Sequence, residues 1–199
     1  MKIKSTDEMF VHWKTIECPS VEKKKGIGDF CMILIINTTC NNVTSSEISG
    51  ALENQGVEFE IVEAGNMKIG PCVGCNFCWL KTPGICSVRD DHEQILKKMV
   101  GADQMWLISD TALGFIDHKG KNVIDRLIPL CTMNLKFKNK QMRHELRYKK
   151  QSDIGLIYTG EADREYLERW NQRVTLNFGT KSLGVFPKEE IKEAIACMH

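Results

Sequence analysis

The chain has no stretch approaching the roughly twenty apolar residues that a membrane span requires. It also has no surplus of charge, with 27 Lys plus Arg against 26 Asp plus Glu. The first absence argues against a spanning protein. The second argues against recruitment to nucleic acid or an anionic membrane by the field of the whole molecule. Met1 to Thr6 carries Lys2 and Lys4, but no apolar run long enough for secretion follows. Nine cysteines are therefore expected as reduced thiols of a soluble cytoplasmic protein. A length of 199 residues suits one domain with a sizeable core.

Four of those cysteines fall in one short segment, Cys72-x-x-Cys75-x-x-Cys78 followed by Cys86. Thiolates three apart on a turning backbone can point into one small volume, which is how a loop holds an iron–sulfur cluster. Thr82-Pro83-Gly84 supplies a type II turn before the fourth. Zinc fits less well, because its structural sites favour two separated ligand pairs. The two overlapping C-x-x-C pairs admit a redox disulfide, and packed thiols acting as small apolar fillers are the plainest reading.

Periodicity alternates between strand and helix. Cys31 to Ile36 is an apolar run of the length of a buried parallel strand. Thr44-Ser45-Ser46-Glu47 reads as a capping box, followed by Ile48, Ala51 and Leu52 on one helical stripe that Gly56 ends. Val57, Phe59 and Ile61 alternate as a second strand. Asp91 opens a helix with Ile95, Leu96 and Met99, Met105 to Ile108 is a third strand, and Asp117 caps a helix through Val123, Ile124 and Leu127. Ile154 to Tyr158 and Leu183 to Phe186 are further strands, separated by a helix through Leu167, Trp170 and Val174. Pro187 begins a last helix. The pattern predicts a doubly wound, five-stranded parallel sheet with helices on both faces. Residues 1–29, with Phe10, Trp13 and Ile16, fall outside it and read as an N-terminal arm to a 30–199 domain.

In such sheets a ligand sits at the carboxyl ends of the strands, where strand order reverses. The first loop there, Asn37 to Ser45, is rich in hydroxyls and amides and opens a helix, which suits a phosphate. It lacks a glycine-rich fingerprint, so plain helix capping by Thr44 and Ser45 is the alternative.

The segment PCVGCNFCWLKTPGICSVRDDHEQI, Pro71 to Ile95, resembles the NAD(P)H-dependent FMN reductase branch of the flavodoxin-like superfamily. The likeness continues in VIDRLIPL, Val123 to Leu130, and RHELRYKK, Arg143 to Lys150. The resemblance implies a non-covalent FMN. Its phosphate would lie at Thr39, Asn41, Thr44 and Ser45, and its ring along Ser109, Thr111, Ala112, Leu113 and Gly114. Electrons would pass from NAD(P)H through FMN to a small acceptor such as a quinone, nitro or azo compound, with no dedicated catalytic side chain. A homodimer without nucleic-acid or membrane partners is expected. In the related iron–sulfur flavoproteins a compact four-cysteine motif binds a 4Fe–4S cluster. That is the alternative for Cys72, Cys75, Cys78 and Cys86, although packed or reversibly oxidised thiols are preferred here because seven residues separate the last two. A third reading is a module that has lost FMN and acts by binding.

The chain departs from the family pattern at both loops. Asn37-Thr38-Thr39-Cys40-Asn41 stands where relatives usually read Asn-Gly-Ser-Pro-Arg, and the missing arginine would weaken a bound phosphate by about 1.5–3 kcal/mol. Asp110 and Ala112 stand where relatives have proline and tyrosine. His92 and His118 are candidate proton donors. The basic run from Lys136 to Lys150 is expected to be a solvated helix face.

Overall fold

The computed structural model describes residues 31–138 and 140–199; the arm expected over residues 1–29 lies outside the described residues. In chain order the elements are β1 (Met32–Asn37), α1 (Val43–Gln55), β2 (Glu58–Glu63), α2 (Phe77–Leu80), α3 (His92–Gly101), β3 (Gln104–Ala112) and β4 (Phe115–Ile116). There follow α4 (His118–Asp125), β5 (Cys131–Lys138), β6 (Gln141–Leu146), β7 (Asp153–Thr159), α5 (Arg164–Phe178), β8 (Ser182–Pro187) and α6 (Ile191–Ala196).

Five strands pair in parallel in the order β2-β1-β3-β7-β8, with β4 added antiparallel to β3. The alternation of β1 explains the two layers of helices. Ile33 and Ile35 pack with Ile48 and Leu52 of α1 and with Ala194 and Ile195 of α6. Leu34 and Ile36 pack on the other face with Ile95 and Met99 of α3, Val123 of α4 and Leu167 of α5. A strand buried on both faces must be apolar throughout, and each such side chain contributes about 1.5–3 kcal/mol of burial. Among the described residues no helix is long and apolar enough to cross a membrane.

The structure corrects several local expectations. The capping box does not form: α1 starts two residues earlier, at Val43, whose N–H donates to Asn41 Oδ1 at 2.9 Å. Ser45 is drawn into that first turn because its hydroxyl donates to Glu63 Oε1 at the end of β2. Pro187 is followed by a 3-10 turn, Lys188–Glu190, before α6. The basic run is not a helix face but the β5–β6 hairpin, pairing Leu135 with His144 and Phe137 with Met142. Met133, Leu135 and Phe137 alternate with Asn134, Lys136 and Lys138, a period of two that belongs to strands.

Candidate functional site

The chain reverses direction across the sheet between β1 and β3, and the loops after these strands lie side by side. Thr38 donates through both its N–H and its hydroxyl to the Ile108 carbonyl, at 2.8 and 2.9 Å. Asn37, fully buried, organises the first loop. Its Oδ1 accepts from the Thr39 N–H at 3.0 Å, and its amide donates to Asn41 O at 3.0 Å and Glu63 Oε2 at 2.7 Å. The Thr39 hydroxyl lies 2.8 Å from Asn37 Oδ1 and 2.7 Å from Asn41 O. Asn37 thus brings Thr39, Asn41 and Ser45 together, while Thr44 is buried in the first turn of α1. Two residues that sequence reasoning missed also lie here. Glu63 places a carboxylate under the loop. Lys119, from α4, sets its ammonium 2.7 Å from Gly65 O and 3.1 Å from Cys40 Sγ. The signal for Glu63 was its place at the carboxyl end of the strand beside β1. Lys119 had no signal, because only tertiary packing carries α4 to this loop.

Gly65 lets two backbones touch: a Cβ there would lie 1.9 Å from Thr39 O. Beside that contact, Thr39, Cys40, Asn42, Glu63, Gly65 and Asn66 enclose a space of about 250 Å³.

The second loop is a tight hairpin. Thr111 pairs with Ile116 and Ala112 with Phe115, leaving Leu113 and Gly114 at the turn with φ of +53° and +77°. Ser109 is buried and donates to Asp110 O at 2.8 Å. It also lies 3.2 Å from Asp117 Oδ1, the oxygen that caps Gly120 N–H of α4. Thr111 Oγ1 donates to Thr159 O at 3.1 Å. Leu113 is wholly exposed in a left-handed conformation that a leucine seldom adopts. Ala112 is also exposed, so the tip presents small and aliphatic surface at the rim.

The cysteine loop leaves this rim and descends onto α4 and the hairpin. Gly74 and Asn76, at φ of +66° and +57°, turn the chain on either side of Cys75. Gly84 N–H donates back to Cys78 O at 2.9 Å, so the Thr82-Pro83-Gly84 turn folds the fourth cysteine toward the first three. Cys78 is buried, Cys86 half-buried, and Cys72 and Cys75 exposed. Burial raises the Cys78 thiol, and the neighbouring Cys86, Cys72 and Cys75 raise it further. The Ser87 hydroxyl, 3.0 Å away, draws Cys75 down. Arg126 is buried behind the loop and pairs with buried Asp90 at 2.5 Å. Burial opposes its charge, while Asp90 and the Cys86 thiol hold the guanidinium protonated.

Asp90 also accepts the Gly70 and His92 N–H groups at the start of α3. Asp91 Oδ2 accepts from Lys68 N–H. His92 is not a proton donor to any site. It is fully buried against Val123 O, and burial pushes it down to about 4. His118 is exposed at the start of α4.

No family model matches the chain. An iron–sulfur flavoprotein of Methanocaldococcus jannaschii is 37% identical over 84 residues, 42% of each chain; the chain thus spans under half the length of that relative. Among solved structures, a flavone reductase superposes with a TM-score of 0.54 at 17% identity, covering 83% of this chain and 60% of that one. An NAD(P)H:quinone oxidoreductase from Methanothermobacter marburgensis superposes at 0.51 and 12% identity, covering 85% and 96%. The fold is flavodoxin-like. Sequence and fold both support the resemblance to flavodoxin-like reductases and their iron–sulfur flavoprotein relatives.

The flavodoxin-like rim can be tested for FMN on its own geometry. A phosphate needs a cavity, backbone approach and a cation. The space beside Gly65, the absent side chain there and the Lys119 ammonium meet those needs, with Glu63 as the opposing charge. The cysteine loop can be tested for a cluster in the same way. Among the described residues no three ligating side chains already converge at metal-binding distance. The four thiols nevertheless lie near enough to raise Cys78 together. The buried Nε of Arg126, a guanidinium that Cys86 helps to keep charged, has no hydrogen-bond partner. A permanent thiolate at Cys86 would suit that group, but the four sulfurs as placed do not form a closed ligand set.

Proposed function

We propose that the chain is a flavin-dependent oxidoreductase whose flavin is FMN, reduced by NAD(P)H and reoxidised by a small organic acceptor. The observation that carries this reading is the space between the loops after β1 and β2, with Gly65 at its back and Lys119 at its edge. Thr39, Asn41, Thr44 and Ser45 shape the phosphate loop. Lys119 replaces the charge that Asn41 lacks. Thr111 to Gly114 form the platform for the ring. Bound FMN supplies the hydride and electron chemistry, while the chain positions it and excludes water.

Titration of FMN and riboflavin, followed by flavin fluorescence, tests the assignment. FMN is expected to bind with micromolar affinity or better. Lys119→Met should weaken FMN by about 1.5–3 kcal/mol, the range for a charge-assisted hydrogen bond, and leave riboflavin unchanged. A protein that ignores FMN would leave the binding module that has lost its flavin as the better reading.

A second reading concerns the cysteines. The relative's name and the placement of Arg126 beside Cys86 support a 4Fe–4S cluster on Cys72, Cys75, Cys78 and Cys86, which now has more support than packed thiols. Anaerobic purification should then yield about four irons and about four acid-labile sulfides per chain, as a cubane cluster requires. Cys75→Ser should lose them together. Iron-free protein from anaerobic cells would return the preference to packed or oxidisable thiols.

A further inference from the structure

A cavity of about 620 Å³ opens where the cysteine loop, the β5–β6 hairpin and the end of α5 meet. None of the residues assigned to FMN above lines it. Its lining includes two rings packed on one another: Trp79 and His144 lie 4.6 Å apart between centroids, tilted by 38°. Each ring is tied to backbone. Trp79 Nε1–H donates to Ile128 O at 3.2 Å, and His144 Nδ1 lies 2.9 Å from Thr132 O. Rings already fixed lose little freedom when a third ring stacks on them. Ile128, Val174 and Phe178 make apolar walls, and Cys72 of the cysteine motif forms part of the lining.

The charges at this cavity select the ligand further. Arg143 lines it, with its guanidinium reaching Leu176 O and Gln141 Oε1, both at 3.3 Å and neither a charged group. The one carboxylate in the lining, Asp125, is paired with Lys121. Asn177 adds an amide at an exposed position. The balance favours a ligand bearing an anionic or acceptor oxygen. Cavities of this size and apolar character, with a few polar groups, are those that hold small organic ligands.

We propose that this cavity binds a planar aromatic molecule of one or two fused rings carrying a carboxylate or carbonyl oxygen. The molecule stacks on the Trp79–His144 pair with its oxygen toward Arg143. The hairpin and the RHELRYKK segment, left without a role by the flavin reading, form one wall of this second site. Binding there stands whichever cofactor the chain carries. Only the ligand's role, as the aromatic acceptor held beside Cys72, rests on the redox reading.

The test uses 3-hydroxy-2-naphthoate, a redox-inert bicyclic carboxylate, titrated calorimetrically into the full chain, with FMN binding measured on the same samples by fluorescence. One site is expected, with Kd on the order of 10–100 μM. His144→Ala should weaken it at least about tenfold by removing one ring of the stack that the ligand extends. Asn177→Trp, a change at an exposed helical position, should do the same by plugging the mouth. FMN affinity should be unchanged in both. No binding to the wild type, equal affinity in Asn177→Trp, or one-for-one displacement of the probe by FMN would overturn the proposal. Probe binding without FMN binding would instead overturn the flavin reading and leave this one standing.

Discussion

At the scale of single residues, His92 is held neutral by its surroundings. It is fully buried, its Nε2 meets Val123 O, and its Nδ1 has no partner that could accept a second proton's N–H. Burial depresses it from 6.5 to about 4. The unfolded chain therefore takes up a proton near pH 6.5 that the folded chain refuses until about pH 4. The His92 contribution to stability is flat above pH 6.5 and falls as the pH drops through that window, by at most about 1.4 kcal/mol per unit and about 3 kcal/mol in all. The Asp90 carboxyl, held low mainly by Arg126 against the cost of burial, acts in the same direction but only below the ordinary carboxylate range. Urea unfolding between pH 7.5 and 4.5 checks this. His92→Gln keeps a donor for Val123 O and should remove most of the slope. Parallel losses in variant and wild type would show that other groups carry the pH dependence.

At the scale of elements, the turn of the β3–β4 hairpin is the most instructive. A two-residue turn with both φ values positive is one that Asn-Gly fills without strain. Here Leu113 takes the first position with its side chain wholly in solvent. A left-handed non-glycine residue costs about 1 kcal/mol or more, and no packing in the free chain repays it. If the leucine caps the flavin ring, Leu113→Asn should stabilise the flavin-free protein by about 0.5–1 kcal/mol. The same change should weaken flavin binding. A variant that gains stability and binds FMN as well as the wild type would remove Leu113 from the site. The β5–β6 hairpin makes a related point: the side chains of Met133, Leu135 and Phe137 are exposed, and the element is held to the body through Arg147 to Pro129 O and Cys131 O, Arg143 to Leu176 O and the His144–Trp79 contact.

At the scale of the whole molecule, a ligand that joins the loops after β1 and β3 should stabilise the fold as a unit. Both loops are tied to the central strands, Thr38 to Ile108 and Thr111 to Thr159, so opening the site and unfolding the sheet share contacts. By linkage, FMN at one hundred times its dissociation constant should add about 2.7 kcal/mol to unfolding free energy. Thermal unfolding should show a single transition that moves upward with FMN concentration, while riboflavin at the same concentration moves it less. A transition indifferent to FMN would mean that the native state does not bind it.

The central parallel strands were legible because burial on both faces demands apolar runs, as in Cys31 to Ile36 and Met105 to Ile108, and the edge strand β2 was legible from the alternation of Phe59 and Ile61. The cysteine spacing and the hydroxyl-rich first loop were legible too, since each lies within a few residues of chain. What the sequence could not disclose depends on atoms far apart in it. Ser45 leaves its expected cap because Glu63 stands beside it, 18 residues on. The basic run became a hairpin because β-strand alternation and a solvated helix face both tolerate lysines, and only the pairing of Phe137 with Met142 settles between them. Lys119 reaches Gly65 across 54 residues, and Arg126 reaches Asp90 across 36. Local sequence determined which segments are strands, helices and loops, because propensity and periodicity are short-range. Tertiary packing alone decided where charge is delivered, because a cation's partner is set by which helix crosses which strand.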